Sequence, residues 1–77
     1  MKTLKILGGG CAKCDELAER AGEAAGRLGI EYKIEKVTDP AEIAEYGVML
    51  TPALVVDGEV KTAGDVPEVE KIKELLQ

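Results

Sequence analysis

Residues 2–7 set Leu4, Ile6 and Leu7 among polar neighbours and read as a strand, which Gly8, Gly9 and Gly10 interrupt. From Cys11 the period changes. Cys14, Leu17, Ala18, Ala21, Ala25 and Leu28 recur at spacings of three and four, the mark of one buried helix stripe, with Asp15, Glu16, Glu19, Arg20, Glu23 and Arg27 filling the other faces. Gly29 suits the position just past the helix end. Gly22 and Gly26 each cost about 1 kcal/mol relative to Ala inside such a helix, and their spacing of four would admit a close neighbour. Ile30, Tyr32 and Ile34 then alternate with Glu31, Lys33 and Glu35, which predicts a half-buried strand.

A second helix is signalled by Asp39 as N-cap, Pro40 at the first helical position and Glu42 completing a capping box. Ile43 and Tyr46 give it an apolar side, and Gly47 ends it. Thr51-Pro52 leads into Ala53-Leu54-Val55-Val56, a continuous apolar run that reads as a strand buried on both faces. Asp57-Gly58 is a type I′ hairpin signal, so Glu59 to Thr62 should return antiparallel. Asp65 to Glu68 carries another capping-box pattern, ahead of a last helix with Val69, Ile72, Leu75 and Leu76 on its stripe. The order is βαβαββα, an α/β chain. The first three strands are expected to pair in parallel through right-handed crossovers, with the hairpin strand as an antiparallel edge. The result is a four-stranded mixed sheet with helices on both faces, spanning residues 1–77 as a single domain.

Composition narrows what this frame can do. The chain has 77 residues, 45% hydrophobic but only 3% aromatic, with no Phe or Trp, so the core must come from Ile, Leu, Val and Ala. A core that small gives only about 3–5 kcal/mol, and caps, tight turns and a disulfide are the expected helpers. Net charge is −5 with acidic residues dispersed, which offers neither a basic patch nor stacking platforms for nucleic acid. The apolar stretch near the N-terminus is too short for a secretion signal, and no run of about 18 apolar residues exists to span a membrane. A cytoplasmic, monomeric protein is expected. In that compartment a close cysteine pair points to redox or metal chemistry rather than to a structural staple.

Cys11-Ala12-Lys13-Cys14 is a C-x-x-C at a strand–helix junction. At a helix start, unpaired backbone N–H groups and the positive end of the helix dipole stabilise a thiolate. Cys11 should therefore face solvent and titrate below the ordinary value of about 8.5, while Cys14, one turn on, should be covered and titrate higher. Such asymmetry suits thiol–disulfide exchange, in which an exposed thiolate attacks and a sheltered thiol resolves the mixed disulfide. Zinc would need four ligands, and a chain with two Cys and no His could supply them only by dimerising. Copper(I) needs only two thiolates and remains a rival. Small copper chaperones also carry C-x-x-C after their first strand, but their element order, βαββαβ, differs from the one read here.

The strand leading into Gly10-Cys11-Ala12-Lys13-Cys14, together with Gly47-Val48-Met49-Leu50-Thr51-Pro52-Ala53-Leu54-Val55-Val56-Asp57-Gly58, resembles the thioredoxin/glutaredoxin superfamily over essentially the whole chain. The similarity is nearest to the small prokaryotic thioredoxin-like proteins known as redox-active disulfide proteins. It implies a minimal thioredoxin fold and a protein disulfide oxidoreductase with no cofactor beyond the Cys11–Cys14 disulfide. Its partners would be disulfide-containing proteins and a thioredoxin-reductase-like flavoenzyme. Cys11 would be the nucleophile and Cys14 the resolving thiol, with Gly10 and Lys13 in support. Pro52 would be cis, and the backbone at Thr51, with Met49 nearby, would meet a substrate strand. The sequence departs from thioredoxins in having no Trp before Cys11, in Ala12-Lys13 between the cysteines, and in lacking a clear buried strand carboxylate to take the resolving thiol's proton. A glutathione-dependent glutaredoxin is the alternative, with Gly64-Asp65 at the start of the last helix as its anion site.

Overall fold

The computed structural model describes residues 1–9 and 12–77. Its elements are β1 (Lys2–Leu7), α1 (Ala12–Leu28), β2 (Tyr32–Val37), α2 (Pro40–Glu45), β3 (Ala53–Val56), β4 (Glu59–Ala63) and α3 (Val69–Leu76). The four strands form one mixed sheet in the order β2-β1-β3-β4. This is the α/β arrangement of a minimal thioredoxin fold.

One expectation about the sheet is corrected. β1 and β2 are parallel, but β3 runs antiparallel to β1, with Leu7 opposite Ala53 and Leu4 opposite Val56. The reason is reach. A six-residue helix such as α2 advances only about 9 Å, whereas returning to the far end of a six-residue strand needs about 20 Å. The chain re-enters at the edge where β2 ended and has to run back.

Local signals account for most boundaries. α1 closes in a Schellman motif: Gly29 takes φ +67°, its N–H donates to Gly26 O, and Ile30 N–H donates to Ala25 O. Ile30 is thereby used up in the helix terminus, so β2 begins at Tyr32, later than the alternation predicted. Asp39 caps α2 by accepting from Ala41 N–H at 3.0 Å, with Pro40 at the first position. Asp57 and Gly58 both have positive φ, as a type I′ turn requires. Asp57 also locks the hairpin to β1, its backbone and side chain bonding the backbone of Thr3 at 2.9 Å.

The last helix starts late. Asp65 does not cap it; residues 65–68 are irregular, Glu68 is the N-cap, and it makes no side-chain cap bond. Pro67 is responsible, because the residue before a proline is driven out of the helical region and Val66 cannot serve as a first helical residue. The carbonyls of Val66 and Pro67 instead accept from Arg20 Nη1 at 3.0 and 3.2 Å. Gly64-Asp65 therefore has no helix start behind it, contrary to what the glutaredoxin alternative needs.

Each sheet face carries its own core. Leu4, Ile6, Leu54 and Val56 pack under Leu17, Ala21, Ala24 and Ala25 of α1 and Ile72 and Leu76 of α3. Three fully buried alanines let α1 lie close to the sheet. The opposite face holds Leu7, Val37, Ala53 and Val55 beneath Ile43, Tyr46 and Val48. Of the two helix glycines, Gly22 lies against Ile34 and Tyr32, but a Cβ there would meet them at ordinary contact distances of 3.4 and 3.6 Å. Gly26 faces open space, so the close approach expected of the pair is absent there.

Candidate functional site

One edge of the sheet gathers the segments singled out in the sequence. Here β1 ends at Leu7, β2 ends at Val37, β3 begins at Ala53 and β4 ends at Ala63. Lateral bonds continue the ladder beyond the strands: Gly8 N–H donates to Val37 O at 2.9 Å, and Gly64 N–H donates to Pro52 O at 2.8 Å. The first turn of α1 descends onto this edge.

Cys14 faces the sheet from that turn and is 3% exposed, covered as the helix stripe predicted. Its sulfur lies directly over Gly8: a Cβ built on Gly8 would overlap Cys14 Sγ and would lie 3.9 Å from Pro52 Cα. Cys14, Gly8 and Pro52, contributed by a helix, a strand end and a loop, therefore meet at one point. Cys11 and Gly10 lie outside the described residues. Lys13 is exposed on the outer side of the turn.

The loop before β3 presents the remaining candidates. The Thr51–Pro52 peptide is cis, as the family resemblance implied, and Pro52 is buried while Thr51 is exposed. Met49 is 96% exposed and Leu50 65%, the largest apolar exposure beside the site. Leu50 rests on Gly64, where an added Cβ would come within 2.7 Å of Leu50 Cβ. Two apolar side chains are thus left in water on the loop that leads into the cis peptide.

Electrostatics near Cys14 come from a residue the sequence did not single out. Lys36 of β2 donates to Asp15 Oδ1 at 2.8 Å, and Asp15 follows Cys14 in the chain. The hydrogen bond to Asp15 holds the Lys36 ammonium above its ordinary range, with the charge of Asp15 and, more weakly, that available at Cys14 adding to it. Lys36 thus ties β2 to the first turn of α1 through the residue next to Cys14. Spacing alone could not show it, since 21 positions separate Asp15 from Lys36 and the packing of α1 over β2 joins them.

The other face carries an open groove lined by Lys5, Tyr46, Glu42 and Glu45. Lys5 Nζ donates to the Tyr46 hydroxyl at 3.0 Å and lies 5.8 Å from the ring centroid. That bond raises the Lys5 pKa, with the charges of Tyr46, Glu35 and Glu42 adding to it. Among the described residues, no sulfur lines this groove. For metals, no cluster of three or more His, Cys, Asp and Glu side chains occurs among the described residues. Nor is any described helix long and apolar enough to cross a membrane.

Comparison with known proteins gives consistent likenesses. A thioredoxin domain family profile matches residues 2–77. The chain is 42% identical over 76 residues to a thioredoxin of Methanothermobacter thermautotrophicus, covering 99% of each chain. It is 43% identical over 77 residues to a thioredoxin of Methanocaldococcus jannaschii, covering all of this chain and 88% of the other.

Proposed function

This chain belongs to the thioredoxin family and is a thioredoxin-like redox protein; on that premise we propose that Cys11 and Cys14 cycle between dithiol and disulfide to reduce or exchange disulfides in other proteins. The observation that carries the proposal is the placement of the Cys14 sulfur, buried at the first turn of α1 over Gly8, on which Pro52 also borders, and three residues from a second cysteine. A sheltered thiol at that point is suited to resolving, and its partner to attacking.

In the first step the Cys11 thiolate attacks one sulfur of a substrate disulfide. That bond breaks, one substrate thiolate leaves, and a mixed disulfide forms. Cys14, as thiolate, then attacks the Cys11 sulfur and expels the second substrate thiolate. Two electrons and two protons pass from the pair to two substrate thiols, and the Cys11–Cys14 disulfide remains. A second dithiol, supplied by a thioredoxin-reductase-like flavoenzyme, restores the starting state. The protein acts as a single cytoplasmic domain and a monomer, with no bound cofactor. Substrate backbone pairs at Thr51 while Met49 and Leu50 give it apolar contact, and Gly10 and Lys13 support the attacking turn.

The test is insulin-disulfide reduction together with trapping of substrates. Cys14→Ser should accumulate mixed disulfides and Cys11→Ser none, because only the former retains the attacking thiol. Equal trapping by both would reverse or abolish the assignment. Tight copper(I) binding by the reduced protein without insulin reduction would favour a metal carrier. Reduction that depends strictly on glutathione would favour a glutaredoxin.

A further inference from the structure

We infer that Gly8 is a positioning residue for the resolving step, its missing side chain being the space that the Cys14 sulfur occupies. The inference rests on the reading of Cys14 as resolving thiol. Glycine is commonly needed for a left-handed backbone, and Gly29, Gly47, Gly58 and Gly64 have positive φ here. Gly8 does not, so its conformation is open to any residue. What excludes a side chain at Gly8 is space. It is buried, and a Cβ would overlap Cys14 Sγ. The neighbouring Gly9 is exposed, and no described residue lies within 4 Å of such a Cβ. Two consecutive glycines that look alike in sequence therefore differ wholly in surroundings.

The collision cannot be relieved from the Gly8 side. Its N–H is bonded to Val37 O at 2.9 Å, and Leu7 before it is paired in register with both Val37 and Ala53. Cys14 Sγ is the terminal atom of a short side chain, so the sulfur yields by rotating about χ1. In a helix one of the three χ1 wells is nearly closed, which leaves little choice of where it goes. Resolution is sensitive to that choice. The Cys14 thiolate must reach the Cys11 sulfur at bonding distance with a narrow range of dihedral angle, form the new S–S bond and release the substrate thiolate. The Cys11 attack that precedes it uses none of this geometry. A Cβ at Gly8 thus slows ring closure and weakens the resulting disulfide while leaving attack intact.

The experiment compares wild type, Gly8→Ala and Gly9→Ala, each reduced with dithiothreitol and mixed with a disulfide substrate under rapid acid quench. For Gly8→Ala we expect formation of the mixed disulfide within twofold of wild type and its decay at least tenfold slower. Titration against dithiothreitol should show the intramolecular disulfide disfavoured about tenfold, equivalent to a potential about 30 mV less negative. Gly9→Ala should match wild type in all three readouts. A Gly8→Ala protein that resolves at the wild-type rate with unchanged potential overturns the inference, provided wild type still reduces insulin and Cys14→Ser still traps substrate. Failure of those two controls strikes the functional reading instead. Stability gives an independent check if Gly8→Ala folds poorly. In a Cys14→Ala background the overlapping sulfur is gone, so Gly8→Ala should then cost little or nothing. An equal loss in both backgrounds would mean that Cys14 is not what the Cβ meets, and would overturn the inference.

Discussion

Replacing Thr62 by Val exchanges a buried hydroxyl for a methyl of nearly the same shape. Thr62 stands opposite Leu54 in the β3–β4 ladder, and cross-strand partners share a face, so its side chain lies on the side that α1 and α3 cover. Its Oγ1 is buried and has no hydrogen-bond partner among the described residues. A desolvated, unpaired hydroxyl costs about 1–3 kcal/mol. The residue as a whole is half-buried, which puts the gain from Val near the lower end, about 1 kcal/mol. At this chain length that corresponds to a rise in Tm of about 4–8 °C. Urea unfolding should show a higher midpoint with an unchanged slope, because little new surface is buried. Thr62→Ser is the control: it keeps the hydroxyl, loses the methyl and should be less stable than either. A Val variant no more stable than wild type would refute the reasoning, since it would mean the hydroxyl is satisfied in solution.

Three further outcomes are expected. Gly26→Ala should stabilise α1 by about 0.5–1 kcal/mol because its Cβ meets only solvent, whereas Gly29→Ala should destabilise by about 1–2 kcal/mol because of its left-handed φ; thermal unfolding separates them. Arg20→Met removes the donor to Val66 O and Pro67 O and should cost about 1.5 kcal/mol, with hydrogen exchange rising first in α3 and the segment before it. The hydrogen bond from Lys33 holds the Glu35 carboxyl below its ordinary value of 4.5, so its contribution is present above that pH and lost as pH falls through the depressed value. Lys33→Met should accordingly lower stability slightly in the neutral region and leave it unchanged below the depressed value, so that the acid limb of a stability–pH profile flattens.

Sequence was most informative where a residue type has one physical use. Asp39-Pro40, Gly29, Asp57-Gly58 and the all-apolar Ala53–Val56 each act through local backbone geometry, and each does in the fold what its chemistry requires. The stripe that buries Cys14 was legible for the same reason, as helix period fixes which side chains share a face. What stayed hidden depended on reach or on partners distant in sequence. The direction of β3 turns on how far α2 can carry the chain, a matter of length rather than pattern. The late start of α3 was readable in Pro67, but the capping-box spacing from Asp65 to Glu68 masked it. Lys36 beside Asp15 and Lys5 beneath Tyr46 arise from how the helical segments pack on the sheet, and Gly8 under the Cys14 sulfur from how α1 folds back over the end of β1. In the sequence they are two ordinary lysines and one member of a glycine run.

The bonds that run across the sheet edge divide the site into two kinds of material. Gly8 and Pro52 are held by the strands on either side of them, Gly8 through Val37 and Pro52 through Gly64, so their spacing is a property of the ladder. Lys13, Met49, Leu50 and Thr51 project from that edge and are exposed. Changing them leaves the sulfur's surroundings where the strands put them. On the proposed function, such a chain could vary its clientele by surface substitution and keep its exchange chemistry, and redesign for a new substrate should begin at those exposed positions rather than at the frame.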